Sequence, residues 1–362
     1  MRHKVKRMSL NVLMSFKSFF LYLGLFVMSL HTAFGQKKSY HIDAVAFYNL
    51  ENLFDTINDP NKNDEDFTPN GSYHYTSEIY HQKLHNLATV LSQIAVDKIP
   101  DGPAFFGVAE IEDEQVLKDL IAQPELVKRK LGIVHFESPD LRGIDVGMLY
   151  NPKFFKVLHA EPMFVDISKN GHHEYTRDIL YVEGLLNGDS IYVMVNHWPS
   201  RLGGENASMW KRKLAAGICK SKADSILKMK PEAKIIIMGD LNDDPVNASV
   251  AEVIGAKEKE DAIASGSFFN PWIAYYKKGI GTLGYNDSWD LFDQIIISNS
   301  FVKAKRGSWQ FYTAEIFNRA FMKNQFGQYK GYPHRSFVGT NWANGYSDHF
   351  PTYIYLVREM QP

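Results

Sequence analysis

Cysteine is nearly missing from this chain: Cys219 stands alone among 362 residues. That excludes an intramolecular disulfide framework and any cysteine-rich zinc module. An excess of charge of one sign is missing too, with 40 basic against 41 acidic side chains. Neither a uniformly basic nucleic-acid sleeve nor a highly charged disordered chain fits that balance, although a local basic patch does. No internal repeat and no Pro/Gly/Ser-rich linker divides the sequence. Its one long apolar run, from Phe19 to Leu30, falls short of the roughly 20 residues a membrane-spanning helix needs. What is present is a hydrophobic content of 45%, enough for a large buried core.

The start of the chain reads as an export signal. Arg2, Lys4, Lys6 and Arg7 precede the apolar run, and Ala33-Phe34-Gly35 supplies small residues where a signal peptidase cuts, leaving Gln36 as the new terminus. Residues 1–35 are therefore expected to be a signal peptide and 36–362 a single catalytic domain, exported to the periplasm or beyond. No cysteine follows the run to carry a lipid, so no stable membrane association is expected once the signal is cut, and no obligate protein partner is evident. The signal carries five basic residues and no acid, so the mature chain holds 35 basic against 41 acidic residues, a net charge of −6.

Short strand-like runs recur through the remaining 327 residues. They are Ala44 to Leu50, Ala104 to Ile111, Val146 to Tyr150, Ile191 to His197, Lys234 to Asn242, Leu291 to Ser298 and Phe350 to Val357. Asn187-Gly188 marks a hairpin turn before Ile191. Helical patterns cover Thr76 to Ile94, with Ser77 as a candidate cap, and Ala207 to Met229. Strands mixed with a few helices predict an α/β or α+β sandwich. The acidic stretch Asp55 to Phe67 reads as a solvated loop, since Asp55, Asp59, Asp64, Glu65 and Asp66 lack EF-hand spacing. The aromatic-rich segment between Ser298 and Tyr346 reads as a second loop.

The strand ends carry the chemistry. In order they read Asn49-Leu50-Glu51, Ala109-Glu110, Asn196-His197-Trp198, Gly239-Asp240-Leu241-Asn242, Asp293-Gln294 and Ser347-Asp348-His349. Taken singly, each has an ordinary structural reading: Asn49 and Asn242 as turn residues, Glu110 as a solvated acid, Asp293 as a cap, His197 as a satisfied semi-buried imidazole. Together they repeat one context six times, an apolar strand closing on a carboxylate, amide or imidazole. Converging Asn, Asp and Glu oxygens suit a hard divalent cation such as Mg²⁺. With imidazoles added, the set is equipped for attack of water on a phosphate ester.

This set resembles the endonuclease/exonuclease/phosphatase superfamily over about Ala44 to Val357, most specifically in Gly239-Asp240-Leu241-Asn242 and Ser347-Asp348-His349-Phe350-Pro351. The resemblance implies a four-layer sandwich, two mixed β-sheets face to face with helices outside. It also implies Mg²⁺ (Mn²⁺ or Ca²⁺ being possible substitutes) held by Glu110 with Asn49 and Glu51, and Asp348 completing a metal or phosphate-facing site. Asp240 would position or deprotonate the attacking water, Asn242 and His197 would bind the phosphate, and His349 would pair with Asp293. Whether Asp240 or His349 is the base stays open.

The substrate is expected to be a nucleic acid or another phosphate ester. Gln294 follows Asp293 where inositol-polyphosphate phosphatases carry Arg, and Ala109 precedes Glu110 where abasic-site endonucleases carry Gln. Arg177 and Arg201 are candidates for gripping a flanking phosphate, or alternatively partners in ion pairs. Between Val302 and Ser336 seven basic residues and eight aromatics face a single acid, Glu315, a composition that favours a polyanion. The expected function is a metal-dependent nuclease. The alternatives are a phosphatase of a small phosphorylated metabolite or lipid headgroup, and a binding module that has lost its chemistry.

Overall fold

Strands apolar at every position need cover on both faces, and that requirement sets the architecture. The computed structural model describes residues 39–169, 171, 173–260, 264 and 266–360; the expected signal peptide lies outside them. His41–Arg358 forms one compact unit. A second, Met1–Tyr40 with Glu359–Pro362, is described only at residues 39–40 and 359–360, where the Met360 amide donates to the Ser39 carbonyl.

In the strand β1 (Tyr40–Leu53) side chains alternate between two cores. Ala44, Ala46 and Tyr48 face one, Val45 and Phe47 the other. The strands β2 (Phe105–Ile111), β7 (Asp189–His197) and β8 (Lys234–Asp240) alternate in the same way. A six-stranded sheet joins β1 and β2 to β3 (Gly132–His135), β4 (Asp145–Tyr150), β14 (Gln310–Ile316) and β17 (Thr352–Glu359), in the order β14-β17-β1-β2-β4-β3. The seven-stranded sheet adds β5 (Phe155–Met163), β6 (Ile179–Leu186), β9 (Ala256–Lys257), β10 (Phe268–Phe269) and β13 (Asp293–Ser298), in the order β5-β6-β7-β8-β13-β10-β9, and two short ribbons pair β11 (Leu283–Tyr285) with β12 (Ser288–Asp290) and β15 (Phe337–Val338) with β16 (Asn341–Trp342). The inner faces of the two large sheets share the central core, where Phe47 and Phe105 meet Val195, Met238 and Ile295.

Helices cover the outer faces. The helices α1 (Ser77–Leu91) and α2 (Glu114–Ile121) pack on the first sheet through Leu84, Leu87, Val116 and Leu120. The helix α3 (Glu205–Met229) packs on the second through Ala215, Ala216, Cys219 and Ala223. The chain is thus a four-layer α/β sandwich of two mixed sheets. Among the described residues no helix is long and apolar enough to cross a membrane.

Several expectations shift locally. Thr76, not Ser77, caps α1, its hydroxyl accepting from the Ile79 amide at 3.5 Å. The segment between Ser298 and Tyr346 is not all loop, because β14 pairs antiparallel with β17 inside it. β5 and β6 lie outside the strand-like runs that the sequence shows. The hairpin at Asn187-Gly188 stands where expected, joining β6 to β7 with φ of 46° and 94°.

Candidate active site

Parallel pairing brings the chemistry to one end of the sandwich. β1 and β2 run parallel, so Asn49 and Glu110 finish side by side. β7 and β8 also run parallel, with His197 opposite Asp240, and antiparallel β13 begins with Asp293 opposite Asp240. At the site one amide links the facing sheets. Asn49 Nδ2 donates to Glu110 Oε1 at 3.1 Å and to Asp240 Oδ2 across the sandwich at 3.0 Å.

Both strands of the first sheet break register at the site, between Asn49 and Leu53 and between Ala109 and Ile111. Glu51, Asn52 and Glu110 take φ of 50°, 53° and 59°, a left-handed region that costs a non-glycine residue about 1–2 kcal/mol. The bulges turn the carboxylates inward, and the Asn52 amide donates to Glu110 Oε2 at 3.0 Å. On the second sheet, Gly239 holds φ 151°, and a Cβ there would stand 2.1 Å from the Asn196 carbonyl oxygen. Only glycine lets β8 approach β7 closely enough to set Asp240 beside His197.

Ser347-Asp348-His349 closes the site. The Ser347 hydroxyl donates to the Asn49 carbonyl at 2.7 Å and accepts from the His349 amide at 3.1 Å. His349 Nδ1 lies 2.7 Å from Asp293 Oδ2, which also accepts from the Thr282 hydroxyl. This leaves His349 Nε2 facing Asp240 Oδ2 and Asp348 Oδ1, both at 3.9 Å. Burial opposes a charge on this ring, but the carboxylates of Asp293, Asp348 and Asp240 outweigh it and hold the pKa well above the usual value. His197 is the converse: burial, then Arg177, Arg142 and His349, drive its pKa well below the usual value. Its Nε2 stands 3.7 Å from both Glu110 Oε1 and Asp240 Oδ2. The site therefore pairs one cationic imidazole with one neutral imidazole.

Burial lifts Asp240 to about 7, with His349 opposing the shift and Asp293 and Glu110 adding to it. Burial and Asp348 lift Glu51 to about 7 against Lys83 and Arg335. The ligand atoms of Glu110, His197 and Asp240 lie within 4.8 Å of one another. Crowded and oxygen-rich, this group fits a hard divalent cation held by Glu110, with Glu51 and Asp348 beside it, while Asn49 turns its N–H groups toward Glu110 and Asp240 and its Oδ1 accepts from the Glu51 amide at 2.9 Å. Asp293 with His349 is instead a hydrogen-bonded charge pair.

Two expected phosphate contacts are engaged elsewhere. Arg177 is buried, donating to Asp140 Oδ2 at 3.1 Å and to the Trp198 carbonyl at 2.7 Å. Arg201 donates to the Asn242 carbonyl, Asp244 and Asn247, each at 3.1 Å, and lies over the Phe292 ring. Both guanidiniums brace the turns that carry the site, so the ion-pair reading describes them. Asn242 commits one amide hydrogen to the Trp198 carbonyl at 2.8 Å and donates its own backbone N–H to Asp240 Oδ1 at 2.9 Å.

Two cations missing from the sequence assignment stand at the cluster. Arg335 Nη2 lies 2.6 Å from Asp348 Oδ2 and its Nε 3.7 Å from Glu51 Oε1, with the side chain half exposed. Lys83 is fully buried on α1 and donates to the Ser336 hydroxyl at 2.6 Å, while the Ser336 amide donates to Glu51 Oε2 at 2.6 Å. Lys83 had one legible signal, a lysine within the apolar stripe of an amphipathic helix.

The geometry has relatives among solved structures. A humanized form of D. rerio TDP2 is 14% identical with a TM-score of 0.53, covering 87% of this chain and 98% of its own. D. rerio TDP2 complexed with single strand DNA product is 17% identical, with a TM-score of 0.51 over the same shares. An endonuclease/exonuclease/phosphatase family protein from Bacteroides thetaiotaomicron is 14% identical with a TM-score of 0.51, covering 90% of this chain and 98% of that one. Comparison with curated proteins gave no match. Residues 44–358 match the model of the Endonuclease/Exonuclease/phosphatase family, and the chain accordingly belongs to that family of metal-dependent phosphoric ester hydrolases.

Proposed function

We propose that this phosphodiester hydrolase is an exported, Mg²⁺-dependent nuclease. The observation that carries the chemistry is the His349–Asp293 pair directed across a narrow gap at Asp240, beside Glu110 and Asn49. Water attacks phosphorus, its proton passes to Asp240, and the P–O bond to the leaving group breaks. His349, protonated through Asp293, opposes the charge gathering on the phosphate oxygens, and His197 donates to one of them from Nε2. Mg²⁺, held by Glu110, would supply Lewis-acid charge to the reacting phosphate when bound.

A nucleic acid is favoured over a small phosphate ester by the segment ahead of Asp348. Of its aromatics Trp309 and Phe317 are buried in the body, Phe311, Phe321 and Tyr332 are half-buried, and Tyr312, Tyr329 and Phe326 are exposed, Phe326 to 88%. Phe321, Lys323, Phe326 and His334 line a surface depression of about 540 Å³. An exposed ring beside cations suits base stacking along a backbone, and a fold relative, D. rerio TDP2, is seen with single-stranded DNA product. Nicking of supercoiled plasmid tests the reading, with Mg²⁺, with EDTA and with His349→Ala. Metal-dependent nicking lost in the variant is the expected result. An inert wild type that still cleaves small phosphomonoesters would overturn it.

A further inference from the structure

The loop leading into Asp348 is tied down along its backbone, yet one of its side chains is not. The His334 amide donates to the Met322 carbonyl and its carbonyl accepts from the Tyr346 amide, both at 2.7 Å, and the Ser336 carbonyl accepts from the Ala343 amide at 2.8 Å. A Cβ on Gly345 would stand 2.0 Å from the Arg335 carbonyl oxygen, so two passes of the loop lie directly against each other. The helix α1 fastens both passes, Lys83 donating to the Ser336 hydroxyl and Asn86 Nδ2 to the Gly345 carbonyl at 2.8 Å. The Arg335 side chain, by contrast, is 48% exposed. Its contacts are uneven: Nη2 is within hydrogen-bond reach of Asp348 Oδ2 at 2.6 Å, whereas Nε is beyond that reach of Glu51 Oε1 at 3.7 Å. A guanidinium carries five N–H donors, and the bond to Asp348 uses one of them.

Glu51 and Asp348 are also the carboxylates that flank Glu110 in the metal cluster. Two cations drawn to one pair of carboxylates oppose each other. We infer that Arg335 is a rival of the metal: guanidinium and divalent ion compete for Asp348 and Glu51, and binding of the ion releases Arg335 from Asp348. The inference rests on the reading that these two carboxylates face a metal held by Glu110. Because the backbone of the loop is fastened, the exchange is a swing of one side chain and breaks one charge-assisted hydrogen bond. The arriving ion thereby frees a planar fork that matches a phosphate, so that metal loading and readiness for substrate become one event.

Mn²⁺ titration by calorimetry tests this on wild type, Arg335→Met, Asp348→Asn and the double variant. Arg335→Met keeps an apolar stem at a half-exposed position and should bind Mn²⁺ about tenfold more tightly, since the ion no longer has to break that hydrogen bond. Damage to the fold would weaken binding, so a tightening reports the competition itself. In the Asp348→Asn background the same change should gain only about twofold, because the contested contact is already lost. Equal or weaker binding by Arg335→Met would overturn the inference. So would an equal gain in both backgrounds, which would make Arg335 no more than a distant positive charge. Absence of Mn²⁺ binding in all four proteins would remove the metal reading itself, and the inference with it.

Discussion

At the scale of single residues, charge state follows from neighbours rather than from residue type. His197 and His349 share one site, yet burial and nearby cations keep the first neutral while three carboxylates keep the second charged. His349→Ala and Asp240→Ala should each lower nicking by about 10²–10³ with the circular-dichroism spectrum unchanged, as for the loss of one preorganised group in comparable sites. A wild-type rate in either variant would remove it from the mechanism. The arginines divide differently. Arg177→Met leaves the buried Asp140 with only Arg142, whose amide donates at 2.9 Å and whose Nε stands at 3.7 Å, and should cost about 3 kcal/mol, seen as a lower urea midpoint. Arg335→Ala should keep its stability but lose about tenfold in kcat/KM, the worth of one charge-assisted contact. If Arg335→Ala cleaves normally, its guanidinium only screens Asp348 and Glu51.

At the scale of elements, the strands buried on both faces announce themselves as apolar runs, and their polar ends announce the site. What the sequence hides is pairing over distance. Lys83 and Ser336 are 253 positions apart, so the contact that steadies Glu51 has no local trace. β5 is half exposed and interrupted by Pro162, and β14 is masked by its own basic and aromatic composition. Arg177 and Arg201 look like phosphate ligands until the turns they brace are seen. Strand β1 also carries a pH signature away from the site. Burial lifts Asp43 from 3.8 to about 7 although Ala44 and Asn187 donate to it. The folded chain therefore holds this proton more tightly than the unfolded one. Its contribution to stability is complete below about pH 4 and is lost as pH rises through about 7. The free energy of unfolding of wild type, from urea titrations, should fall relative to that of Asp43→Asn across that window by up to about 4 kcal/mol. A constant difference between the two would show that Asp43 ionises normally.

At the scale of the molecule, the active site is a seam. The first sheet brings Asn49, Glu51 and Glu110, the second brings His197, Asp240 and Asp293, and Asn49 hydrogen-bonds from one to the other. Neither half is a site alone, so the cluster exists only in the folded state. A cation bound there must then stabilise the whole sandwich through mass action, by about 2.7 kcal/mol at a hundredfold excess over its Kd. Mg²⁺ should raise the Tm of wild type, EDTA should reverse the rise, and Glu110→Gln should lose most of it. An equal rise in both proteins would place the Mg²⁺ away from Glu110.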